Sequence, residues 1–125
     1  MNLDERIDAI EAGYEFMLAY AAQGRVSDKG GGAASELRDY LRRMETALDG
    51  LGKTIAERLD AAAVRAFVDA AAEDAERALA IVRLVLAKDA ISSQLIDNVN
   101  ASIHLRALLT DLFVIDEGMK GTDES

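Results

Sequence analysis

Residues 33–60 read AASELRDYLRRMETALDGLGKTIAERLD, and the number of rods in the fold turns on them. Leu37, Leu41, Met44, Leu48, Leu51 and Ile55 follow at intervals of 4, 3, 4, 3 and 4, which is one helical stripe. The stripe stays in phase across Gly50 and Gly52. Two local signals oppose it: Asp49-Gly50-Leu51 has the composition of a helix end, and Thr54-x-x-Glu57 that of a new capping box. Beyond Leu59 the phase changes. At about 100° per residue, Val64, Val68, Ala71 and Ala75 point roughly opposite to Ile55 and Leu59. A straight helix cannot turn both sets to one core. The reversal is therefore expected near Asp60, with the glycines as a kink costing about 1 kcal/mol each. A full break at Gly50–Lys53 is the alternative.

Toward the N-terminus, Leu3, Ile7, Ile10, Tyr14, Met17 and Ala21 repeat the 4, 3, 4, 3, 4 spacing and predict a helix over 3–22. Asn2 and Glu5 form a capping box at its start, and Gly24 stands just past its end. Residues 23–32 (QGRVSDKGGG) read as a mobile connector, because three consecutive glycines cost a helix too much backbone entropy.

Toward the C-terminus, Val64, Val68, Ala71, Ala75, Ala78, Val82 and Val85 make the seam of a helix over 61–87. Arg65, Asp69, Glu73, Glu76 and Arg83 lie on its solvated side. Lys88-Asp89 is the expected corner, with Asp89 capping a fourth helix over 90–115. The wide apolar arc of that helix (Ile91, Leu95, Ile96, Val99, Ile103, Leu105, Leu109, Leu112, Phe113, Val114) predicts the most buried element. Short connections make antiparallel neighbours. The expected fold is all-α, an antiparallel up-down four-helix bundle over 1–115, with a polar, disordered tail over 116–125.

Composition narrows the chemistry. Of 125 residues, 50% are apolar and 30% charged, the balance of a globular chain. The absence of cysteine removes disulfides, thiolate metal sites and cysteine nucleophiles, and a single histidine, His104, excludes sites built on two imidazoles of one chain. A net charge of −9 argues against nucleic acid and anionic membranes as partners. The opening Met1-Asn2-Leu3-Asp4-Glu5-Arg6 lacks a signal-peptide pattern, and the longest nearly apolar run, 78–87, contains Arg83 and is too short to span a bilayer. A cytoplasmic location is the expectation.

His104 falls in a helical polar strip with Ser93, Asp97, Asn100 and Asp111, and is expected to be exposed. It is read as a solvated side chain, with a phosphoacceptor of a two-component relay and one ligand of a metal or haem site as alternatives, the last disfavoured because a surface strip offers little enclosure. Four-helix phosphotransfer modules place a basic residue and a glycine after the histidine. In His104-Leu105-Arg106-Ala107-Leu108 the basic residue comes one place early and the glycine is missing.

Asp4, Asp8, Glu11 and Glu15 form a carboxylate stripe, but no Glu-x-x-His accompanies it, so a di-iron site is not expected. Arg38 and Arg42 on the second helix are the expected partners of Glu11 and Glu15. The glycine loop lacks the phosphate-binding order Gly-x-x-x-x-Gly-Lys-[Ser/Thr]. Ser93, His104 and Asp97 or Asp111 share one convex face with nothing to exclude water, so no catalytic residue, metal or cofactor is expected.

Ala9, Gly13, Phe16 and Tyr20 form a second apolar face on the first helix, either a wide core contact or a self-association surface. The functional expectation is a small acidic protein acting by protein–protein interaction in a regulatory or adaptor role. It is expected to be a homodimer anchored by Phe16 and Tyr20, with the 23–32 loop as a recognition element. A third reading is a small-ligand cavity beside Ala71, Ala75 and Ala78.

Overall fold

A computed structural model describes residues 1–30, 32–59 and 61–123. The capping box forms as the sequence implies. Asn2 Oδ1 accepts from the Glu5 N–H at 2.8 Å, and the Asn2 N–H donates to Glu5 Oε1 at 3.0 Å. This starts α1 (Leu3–Ala21), and Gly24, past its end, adopts φ +64°. A short 3-10 turn (Gly32–Glu36) leads into α2 (Leu37–Leu48), followed by α3 (Leu51–Arg58), α4 (Ala61–Leu86), α5 (Ser93–Asn100) and α6 (Ile103–Asp123). The described residues contain six α-helices and no strand. The all-α expectation stands, while two of the four expected rods are each divided. α1 packs on α2 and α5, α4 packs on α2, α3 and α6, and one apolar core runs between them.

The second rod breaks at Gly50, which takes φ +84°, after Asp49 has turned to extended backbone. The full break kept as the alternative at Gly50–Lys53 is therefore the observed one, and the glycine is more than a kink. A break leaves the last carbonyls of α2 without helical partners. Arg6, from α1, supplies them: its Nη1 donates to the carbonyls of Ala47 and Asp49, at 2.8 Å each. Thr54 does not cap a new helix. It lies inside α3, and its hydroxyl donates to the Gly50 carbonyl at 3.2 Å. All six stripe residues from Leu37 to Ile55 are buried, so the break preserves the facing of the seam.

α3 and α4 approach closely because Gly52 has no side chain. A Cβ there would lie 2.7 Å from the Ala72 Cβ. The expected reversal point, Asp60, lies outside the described residues. Val64, assigned to the third seam, has non-helical angles (φ −124°, ψ 26°) and is 39% exposed, so the buried seam begins at Val68.

The fourth rod is the larger correction. Asp89 is not a cap. Ser92 is, its side chain accepting from the Leu95 N–H at 3.0 Å. α5 then ends at Asn100, and α6 starts after Ala101 and Ser102. The wide apolar arc was the sum of two helices in different phases. In α6 the buried set is Leu105, Leu108, Leu109, Leu112 and Ile115, while Ile103, Phe113 and Val114 are exposed. Taken together, the residues of 90–115 still include more buried positions than the described residues of any other expected rod. α6 also runs to Asp123, past the expected limit at 115; no proline interrupts its hydrogen-bond ladder.

Candidate functional site

The loop after α1 is fastened at several points. Asp28 is buried, and its carboxylate accepts from Arg38 Nε at 2.7 Å and from the Ile91 N–H at 2.8 Å. Burial alone would raise the Asp28 carboxyl. The Arg38 guanidinium and the backbone N–H groups outweigh it and hold the acid below its ordinary value. Arg38 also donates to the carbonyls of Leu86, Lys88 and Asp89, which satisfies the end of α4. Ser93 donates its backbone N–H to the Arg25 carbonyl and its hydroxyl to that of Tyr20. The connector expected to be mobile is thus a strap tied down at Arg25, Asp28 and Lys29. Its glycines flank an aspartate whose partners lie far along the chain, and nothing local signals them.

The second apolar face of α1 makes contacts within the chain as well. Ala9, Gly13 and Tyr20 are buried, and the Tyr20 hydroxyl donates to the Ile91 carbonyl. Burial and the nearby Asp28 carboxylate push the phenol above its ordinary pKa. Gly13 lets the Met44 side chain lie directly on the α1 backbone. Phe16 is half-buried and stacks on Tyr40, with ring centroids 4.4 Å apart. Spacing alone left a core contact and a self-association surface both open, because α5, which packs on α1, was not recognised as a separate helix.

The expected polar strip around His104 does not exist as one surface. The break at Ala101–Ser102 separates its members. His104 is exposed in the first turn of α6, and its N–H donates to Ser102 Oγ at 3.3 Å. Ser93 and Asn100 are buried against α1, with Asn100 Nδ2 donating to the Met17 carbonyl and its Oδ1 left without a partner. Asp97 is exposed.

Asp111 points toward Asp74 of α4, and its Oδ2 is buried without a hydrogen-bond donor. Burial and the Asp74 carboxyl push Asp111 up to about 7. Asp74 was missed in the sequence, although it stands between Ala71 and Ala78 at the edge of their seam. Those alanines, considered as a ligand cavity, are all buried in the core.

One outward-facing groove, of about 260 Å³, is lined by Glu11, Tyr14, Glu15 and Leu18 of α1 and by Leu109 and Phe113 of α6. Leu18 is 45% exposed and Phe113 55%. Burial and the neighbouring carboxylates of Asp116, Asp8 and Glu15 raise Glu11 above its ordinary value. The expected pairing of Glu11 and Glu15 with Arg38 and Arg42 is replaced. Arg38 serves Asp28, and Arg42 lies 3.7 Å from Asp39 in its own helix. Leu18 went unassigned in the sequence because it lies on the flank of the core seam away from the second apolar face, beside the carboxylates of Glu11 and Glu15. Its position four residues after Tyr14 is the signal that marks the groove.

Among the described residues no group of three or more potential metal ligands comes together, and no helix is long and apolar enough to cross a membrane. No family model, curated protein or solved structure matches the chain.

Proposed function

We propose that the protein acts by binding another protein, in a regulatory or adaptor role and without catalysis, through the groove between α1 and α6. The observation that supports this is the pair Leu18 and Phe113, large apolar side chains left half in water on facing helices, with Tyr14 and Leu109 forming the floor. Isolated exposed apolar residues are ordinary, but apolar residues converging on one concave strip are the surface a partner helix covers. In this reading α2 with α3, and α5 with α6, are broken rods of an up-down four-helix bundle working in the cytoplasm. Tyr20 and the 23–32 strap belong to its scaffold, and no cofactor is required.

The test is a photo-crosslinking side chain in place of Phe113 in cells of the source organism. A discrete protein adduct that Leu18→Asp removes is expected. No adduct, or the same adducts from an exposed control position such as Glu76, would discard the groove.

A second reading rests on the exposure of His104. As a phosphotransfer intermediate the protein would take phosphate from a phosphorylated receiver domain, and His104→Gln would abolish the label. Absence of transfer removes that reading.

A further inference from the structure

We infer that the occupant of the α1–α6 groove is a basic amphipathic helix of a different protein, an inference that rests on the docking reading above. The charge beside the apolar track is predominantly negative, with Arg106, three residues before Leu109 on α6, as the exception. Residues 7–21 of α1 and 107–118 of α6 include no lysine or arginine, yet they hold Asp8, Glu11, Glu15 and Asp116. These carboxylates are close enough to one another that three of them raise the fourth, Glu11. Arg38 and Arg42, the cations that an antiparallel neighbour was expected to bring to this flank, are engaged elsewhere.

The lining divides by chemistry. Tyr14, Leu18, Leu109 and Phe113 offer an apolar track, and Glu11 and Glu15 stand along its α1 side. A helix with apolar residues at i, i+3 or i+4, and i+7 would lay that stripe on the track. Lysine or arginine flanking the stripe would then meet the carboxylates and relieve a repulsion already present in the free protein. That relief makes the attraction selective for the partner's charge. A second copy of this chain fits poorly, because it would set one acidic rim against another. Anionic lipid and nucleic acid meet the same repulsion.

The test uses a displayed library of 18-residue helices with a fixed leucine seam and randomised flanks, selected on the intact protein in low salt. Enriched helices should carry lysine and arginine beside the seam. As synthetic peptides read by fluorescence anisotropy, they should weaken at least about tenfold between 0.05 and 0.5 M salt. Glu11→Lys/Glu15→Lys should weaken them by at least a similar factor, Glu11→Gln/Glu15→Gln by less, and Phe113→Asp should abolish binding, each variant with unchanged circular dichroism. Neutral or acidic winners that still require Phe113 would overturn the basic-partner inference and leave the groove as a docking site. Winners indifferent to Phe113→Asp would overturn both. A dimer in light scattering that Phe113→Asp dissociates would assign the groove to a second copy and overturn the inference.

Discussion

Two aspartates shift the molecule's response to pH in opposite directions. Asp111 has a folded-state pKa of about 7, above the value of an unfolded chain. The native state therefore binds more protons than the unfolded state between about pH 4 and pH 7, and stability falls as pH rises through that window. Asp111→Asn is expected to remove this slope and to raise stability at pH 8 by about 1–2 kcal/mol, the shift being discounted for solvent screening. Urea denaturation at pH 5 and pH 8 measures it; an unchanged slope in the variant would contradict the account.

Asp28 is depressed, so its contribution is present above the unfolded value and is lost as pH falls through the lower folded one. Asp28→Ala takes the carboxylate from Arg38, which keeps its bonds to the carbonyls of Leu86, Lys88 and Asp89, and leaves the buried Ile91 N–H unpaired; it should cost about 3 kcal/mol in the same assay. A loss under about 1 kcal/mol would mean that the clasp contributes little. Legibility at this scale followed distance along the chain. Asn2 and Glu5 are three residues apart and their box was readable, whereas Asp28 meets partners 10 and 63 residues away.

At the scale of elements, periodicity reports which face is buried but is blind to a break that keeps phase. The stripe from Leu37 to Ile55 is buried on both sides of Gly50, so counting could not choose between a bent rod and a divided one. The divided fourth rod hid for the opposite reason. Its two phases summed to a broad arc, which placed Phe113 in the core and dissolved the groove in advance. The two glycines near the second break have different jobs, and substitution separates them. Gly50→Ala should cost about 1–2 kcal/mol because alanine at φ +84° is strained. Gly52→Ala raises helix propensity yet should destabilise by about 1–3 kcal/mol, because the new methyl meets the Cβ and Cα of Ala72. A stabilised Gly52→Ala in thermal melts would show that α3 and α4 can separate without penalty.

Across the whole molecule, the sequence reading held for an all-helical chain, and for a seam buried on both sides of the break in the second rod. It fell short on how the rods end, because the caps are arginines from other elements. Arg6 closes α2 and Arg38 closes α4, each across more than 40 residues of chain. The net charge of −9 acts at this scale as well. Self-repulsion among carboxylates weakens the compact state, so about 0.5 M sodium chloride should raise the melting temperature at pH 8 and do so less at pH 5, where part of the charge is neutralised. Equal salt effects at the two pH values would place the origin elsewhere.

The strap fastened to residues 88–93 also sets a timetable for synthesis. When the ribosome has released only the first four helices, Asp28 has Arg38 beside it, but Tyr20 and the strap have nothing from residue 91 or 93 to hold. Closing that join needs Ile91 and Ser93 outside the exit tunnel, so the nascent chain must stay partly open until that segment has emerged. Ribosome-stalled fragments should therefore gain protease resistance abruptly once the segment carrying Ile91 and Ser93 emerges, rather than helix by helix.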